Sequence, residues 1–128
     1  MAAFKLSEET EAQRKEKEKT IQKGTVHAAE MPLSTMKHAL DALEHDRVAA
    51  EKGNINTITD AGVAAHALTA AIEGAALNVR INLGNIKDKT FVNQTTKEVE
   101  KILSDGRKLK AEIIEIVEAR MKELAEQK

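Results

Sequence analysis

Between Asp60 and Ile86 this sequence carries only three charged side chains, Asp60, Glu73 and Arg80, although 32% of the whole chain is Asp, Glu, Lys or Arg. Ten of the 17 residues from Asp60 to Ala76 are Ala or Gly. A helix that is apolar nearly all round belongs inside a larger structure, and small side chains let neighbouring helices approach it closely. This segment is therefore expected to be the central, most contacted element. Polar groups stand at both of its ends: Asn54, Asn56 and Asp60 at the start, and Asn78, Arg80 and Asn82 at the finish. Burying such groups is unfavourable unless they are partnered, so they raise a functional question.

The rest of the chain supplies what such a helix would pack against. Val26, Ala29, Leu33, Met36, Leu40 and Leu43 recur at spacings of three and four, one apolar stripe on a helix whose Met and Leu side chains would fill space around the small residues. Pro32 lies within that stripe and lacks a backbone donor, which predicts a restart or a kink there. Gly53 and Asn54 are expected to end this helix in left-handed geometry. A central helix then runs from about Thr57 or Thr59 to Leu83. Asp88 or Thr90 can cap a last helix of about 38 residues. Its apolar positions Val92, Val99, Ile102, Leu109, Ile113, Ile116 and Leu124 form a seam of the coiled-coil type, with Gly106 as a weak point. At 1.5 Å per residue that helix spans about 57 Å, far more than the roughly 14 Å radius of gyration of a compact chain this size. Unless the helix kinks near Gly106, the overhang predicts packing on a second subunit. At the N-terminus, Ser7 followed by Glu8 and Glu9 is expected to cap a largely solvated helical arm.

One all-α domain spanning residues 1–128 follows from this pattern, together with one Pro, two aromatic residues and no Cys. A net charge of -1 gives no field that favours nucleic acid or an anionic membrane. The weakly charged stretch holds Asp60, Glu73 and Arg80 and makes a poor membrane span. Without Cys there are no disulfides and no thiolate metal sites, which fits a reducing cytoplasm. The four histidines, His27, His38, His45 and His66, show no metal-ligand spacing with carboxylates, so no metal is expected; only His66 sits on the segment expected to be buried. No phosphate loop, nucleophile triad or basic-aromatic pattern is present.

Residue types alone leave the polar set open. In the structural reading Asn54 is a helix cap, Asp60 offsets the helix dipole and Arg80 is its ion pair or clamps another helix. In the functional reading Asn54, Asn56, Asp60, Arg80 and Asn82 line one pocket, in which Arg80 binds a carboxylate and the amides read a heterocycle. Asp60 is then the one candidate for catalysis.

The run from Lys52 through Gly53-Asn54-Ile55-Asn56 to Asp60-Ala61-Gly62-Val63-Ala64-Ala65 resembles the GN-x-N-x-x-x-DAGVAA signature of the cyclodeaminase/cyclohydrolase family. Asn78-Val79-Arg80-Ile81-Asn82-Leu83, followed by Ile86, Asp88 and Phe91, is similar to that family's NVRINL-x-x-I-x-D-x-x-F run. Met31-Pro32-Leu33 and Ala2-Ala3-Phe4-Lys5-Leu6 also match. The family includes the C-terminal domain of formimidoyltransferase-cyclodeaminase and stand-alone methenyltetrahydrofolate cyclohydrolases. The resemblance implies an all-helical, antiparallel homodimer acting on tetrahydrofolate one-carbon units, with the folate derivative as substrate and no separate cofactor. It also implies that Arg80 meets the glutamate tail while Asn54, Asn56 and Asp60 line the pocket. Family members begin with a helix, a Pro-Gly-Gly-Gly-Ser loop and an acidic residue regarded as the proton shuttle, which precede the segment matched by Ala2-Ala3-Phe4. This sequence starts after them, so the expectation is an N-terminally shortened domain, with catalysis by the chain alone in question. An internal methionine, a true truncation and half of a split protein are the readings left open for Met1. The rival reading is a non-catalytic helical scaffold that dimerises through the Val92–Leu124 seam.

Overall fold

The computed structural model describes residues 10–127, so the expectations for Ser7 and for the Ala2–Leu6 segment lie outside the described residues. Three helices account for nearly all of it: α1 (Glu11–Lys52), α2 (Ile58–Leu83) and α3 (Lys89–Glu126), with a short 3-10 turn at Ile55–Thr57. Among the described residues there is no strand, and no helix is long and apolar enough to cross a membrane.

Local chemistry sets the helix ends. Thr10 caps α1 reciprocally: its hydroxyl accepts from the Gln13 amide at 3.3 Å, and the Gln13 side chain accepts from the Thr10 amide at 2.9 Å. Asp88 caps α3 by accepting from the Phe91 amide at 3.1 Å, one of the two caps expected there. At the far end of α1 the carbonyls left over by the helix find other donors. The Gly53 amide donates to the Ala49 carbonyl at 2.8 Å, and Arg120 Nη1 of α3 donates to the Ala50 carbonyl at 2.8 Å.

Gly53 does not adopt the expected left-handed geometry: its φ of -73° and ψ of 173° are extended, and no described residue has a positive φ. The requirement for glycine is steric. A Cβ at this position would lie 2.4 Å from the Ala49 carbonyl oxygen, which the chain must pass closely as it leaves the helix.

Pro32 neither ends nor restarts α1, which runs unbroken through it. A proline at position 32 removes the amide that would donate to the Ala28 carbonyl one turn earlier. That carbonyl accepts instead from Asn82 Nδ2 of α2, at 3.3 Å. The replacement donor comes from a different helix, which is why the helix continues through Pro32.

The expected stripe on α1 is the core. Ala29, Leu33, Met36 and Leu43 are buried, Val26 and Leu40 pack against them, and Met36 and Leu43 are among the largest side chains with no exposure. From α2 come Ala61, Ala65, Ile72, Ala75, Ala76 and Val79; from α3 come Val99, Ile102, Leu103, Leu109, Ile113 and Val117. Gly106 is not a weak point: it is buried in α3, and a Cβ there would come within 3.2 Å of Ile72 Cδ1, so the two helices meet closely at this residue.

Two expectations are revised by this packing. The α3 seam expected to face a second subunit is consumed within the chain, since Val99, Ile102, Leu109 and Ile113 belong to its own core. The overhang of α3 is also reduced, because α1, at 42 residues and about 63 Å, lies beside it as far as the contact between Arg120 and Ala50. Lys37 pairs with Glu98 at 2.8 Å and Arg47 with Glu112 at 3.6 Å along that contact.

The central helix is not enclosed on all sides either. Its buried face meets α1 and α3, but Val63, Leu77 and Ile81 are 67%, 65% and 71% exposed. The helix that looked apolar all round has one apolar face uncovered.

Candidate functional site

The 3-10 turn builds the first polar cluster. Asn54 does not cap the end of α1; it starts the turn, its side-chain oxygen accepting from the Asn56 amide at 2.9 Å. The Asn54 carbonyl accepts from both the amide (3.0 Å) and the hydroxyl (2.9 Å) of Thr57. These bonds hold Asn56 and Asp60 exposed at the start of α2, where the helix dipole favours a carboxylate.

Beside this turn lies a cleft of about 410 Å³ between the end of α1 and the start of α2, lined by Asp46, Ala49, Gly53, Thr57, Asp60 and Ala61. It contains a residue that sequence reasoning missed. Asp46 is half-buried, and its Oδ2 is shut off from solvent with no hydrogen-bond partner among the described residues. Burial pushes its carboxyl above the ordinary value of 3.8. The signal was in the spacing: Asp46 falls three residues after Leu43 and four before Ala50, on the buried stripe itself.

The sign of the pH effect follows from the raised value. At low pH Asp46 is protonated in both folded and unfolded chains, so its burial carries no charge penalty. As pH rises past the ordinary carboxylate range the unfolded chain releases this proton first, and stability is lost. Asp46→Asn is therefore expected to raise the unfolding midpoint at pH 7, with the gain shrinking as the pH is lowered toward 4. Calorimetric melts across that range check it.

The second cluster is at the other end of α2. Arg80 is exposed and forms no ion pair with a described residue. The expected Asp60–Arg80 pair does not form, because twenty residues of helix place the two about 30 Å apart. Within one chain the proposed pocket thus divides, with Asn54, Asn56 and Asp60 at one end and Arg80 and Asn82 at the other.

Asn82 is committed differently from Arg80. Its Nδ2 donates to the Ala28 carbonyl and, at 2.9 Å, to the Asn78 carbonyl. Its amide nitrogen is thus engaged in offsetting Pro32, and only its oxygen remains for a ligand. Asn82→Ala is expected to destabilise the fold by about 1 kcal/mol, because an acceptor loses its donor. In a Pro32→Ala background, where the helix supplies its own donor, the loss should be smaller. A double-mutant cycle by urea unfolding measures the difference.

The histidines do not gather. His66 is exposed rather than buried and lies in a groove of about 360 Å³ with Thr69, Glu73 and Arg107, while His38 sits 3.4 Å from the Ser34 hydroxyl. No group of three or more His, Cys, Asp or Glu among the described residues could hold a metal ion.

Both signature runs therefore frame α2, one at each end, and comparison with known proteins identifies the pattern. Residues 1–101 match the family model described as formiminotransferase-cyclodeaminase. The chain belongs to the formiminotransferase-cyclodeaminase family. Within it, the chain is 31% identical over 121 residues to a methenyltetrahydrofolate cyclohydrolase of Methylorubrum extorquens, a match covering 94% of this chain and 58% of that protein. It is 30% identical over 120 residues to the formimidoyltransferase-cyclodeaminase of Gallus gallus (94% of this chain, 22% of that protein). It is 36% identical over 100 residues to that of Dictyostelium discoideum (78% and 19%). The chain thus spans little more than half of the cyclohydrolase and about a fifth of the longer cyclodeaminases.

Proposed function

We propose that this chain is a folate one-carbon domain of the formimidoyltetrahydrofolate cyclodeaminase or methenyltetrahydrofolate cyclohydrolase type, working in the cytoplasm as an antiparallel homodimer. The observation that carries the reading is the coincidence of the family signature with a built cleft. The Gly53–Asp60 run is held in a defined turn beside a cleft that contains two carboxyls.

Either reaction moves protons around one carbon. In the cyclodeaminase direction, N10 attacks the formimino carbon on N5 and ammonia departs, leaving the methenyl bridge. In the cyclohydrolase direction, water adds to that bridge, the bond to N5 breaks, a proton is released and the formyl group stays on N10. A carboxylate within reach of the bridging carbon serves both by accepting and returning a proton. Asp60 is the group proposed for that role, with Asn54 and Asn56 on the heterocycle and Arg80 on the anionic tail, where a planar guanidinium fits a carboxylate in bidentate fashion. The folate derivative is the substrate, and no further cofactor or metal is invoked.

The scaffold alternative is not favoured, because the seam assigned to it is covered by the chain's own α1 and α2. The test is catalytic. Purified chain should accelerate hydrolysis of 5,10-methenyltetrahydrofolate or release of ammonia from 5-formiminotetrahydrofolate above the uncatalysed rate. Background rates for both substrates would sink the enzyme reading.

A further inference from the structure

We infer that Asp46 is the residue by which this site recognises the folate ring, its carboxylate receiving the paired N–H donors of the ring's 2-amino and N3 positions. The inference rests on the folate reading above and adds to it a specificity-determining residue and the edge of the ligand that it reads.

Asp46 is a carboxylate that the fold leaves alone. Buried polar groups nearly always find a hydrogen-bond partner, and an exception calls for a reason. The Oδ2 atom of Asp46 is shut off from solvent and has no partner among the described residues. Two guanidinium groups reach α1 within about one helical turn of it, and both are turned elsewhere. Arg47 pairs with Glu51 at 3.2 Å and with Glu112 at 3.6 Å, while Arg120 of α3 donates to the Ala50 carbonyl at 2.8 Å. No Lys, Arg or His is among the residues that line the cleft. Around the turn the donors are engaged: the Gly53 amide on the Ala49 carbonyl, and the Thr57 amide and hydroxyl on the Asn54 carbonyl. Asparagine would occupy the same space as Asp46 with no charge to desolvate, and Asp46→Asn is expected to raise the unfolding midpoint at pH 7. A group that costs the fold stability beside a cleft is the pattern of a ligand-binding position.

A carboxylate without protein donors selects a ligand edge that presents two N–H groups side by side. The 2-amino group and N3–H of a tetrahydrofolate ring do so, and they fit the two oxygens of one carboxylate as a guanidinium does. The last torsion of an aspartate side chain is broad, so the carboxyl can turn Oδ2 toward the cleft when such donors arrive. The cleft, at about 410 Å³, is within the size range of small-molecule sites. N5, which carries the one-carbon unit, lies across the ring from the amino edge. A ring seated by that edge on Asp46 leaves N5 free for Asp60, the other carboxyl of the same cleft.

Titration calorimetry at pH 7 with tetrahydrofolate and its 2-desamino-2-methyl analogue tests this. The analogue keeps N3–H and replaces the amino donor with a methyl group. The wild type should bind tetrahydrofolate about 10- to 100-fold more tightly than the analogue, the worth of one hydrogen bond to a charged group. Asp46→Asn should lose affinity for tetrahydrofolate by a similar factor and prefer it much less, while its unfolding midpoint does not fall. Asp60→Asn should keep the preference. Equal affinity of the wild type for the two ligands, or an undiminished preference in Asp46→Asn, would overturn the inference and leave the folate reading standing. No binding of tetrahydrofolate by the folded wild type would end both.

Discussion

Ile113→Asp is expected to abolish cooperative folding of this chain. Ile113 has no exposed surface and is among the largest fully buried side chains of α3. An aspartate there would leave an unpaired carboxylate in an apolar core, a change that typically exceeds about 4 kcal/mol. Domains of this size are stable by about 5–15 kcal/mol in total, and this one draws its core largely from alanines and medium-sized aliphatic side chains. Far-UV circular dichroism during heating is the measurement: the wild type should melt in one transition, and the variant should have none or one many degrees lower. The paired control is Ile81→Asp, the same chemical change on α2 at a position 71% exposed, which should leave the helical signal and its midpoint nearly unchanged at low protein concentration. Equal effects at the two positions would mean that the assignment of the α3 seam to the chain's own core is wrong.

Arg80→Ala is expected to weaken binding of tetrahydrofolate derivatives by about 2–5 kcal/mol where the bound carboxylate buries Arg80, which is exposed in the free chain, the range for removing one member of a desolvated, hydrogen-bonded charge pair. The fold should be indifferent to the change, since Arg80 is exposed and pairs with no described residue. Arg80→Lys should restore only part of the affinity, because an ammonium keeps the charge but not the planar fork. Titration calorimetry on the three proteins separates these outcomes. Unchanged affinity in the alanine variant would remove Arg80 from the site.

How far the sequence foretells this molecule depends on the range of the interaction concerned. The Val26–Leu43 stripe, the Asp88 cap and a last helix of 38 residues were all readable, because each rests on contacts or spacings within one element. A restart and a kink at Pro32 were both open, and what lets α1 pass was not readable, because the donor to the freed Ala28 carbonyl arrives from Asn82, 54 residues after Ala28. The extended Gly53 was missed for a related reason. Composition marks a glycine as permissive, but only the packed turn shows that a nearby carbonyl oxygen is what excludes a side chain. Asp46 was visible as an acid on an apolar stripe, yet an isolated acid there gains meaning only when its Oδ2 proves unpartnered and beside a cleft. The division of the polar set is the most instructive case. Twenty residues at 1.5 Å per residue already forbid one chain from placing Asp60 against Arg80. Membership in the formiminotransferase-cyclodeaminase family supplies the reason to keep both ends of α2 in one account.

That account is tested most directly by titrating tetrahydrofolate and 5,10-methenyltetrahydrofolate into the purified chain in a calorimeter. The prediction is saturable binding of at least one of the two, with one site per chain and loss of affinity in the Arg80→Ala protein. Heats no larger than dilution for both ligands, from a chain that circular dichroism shows to be folded, would contradict it.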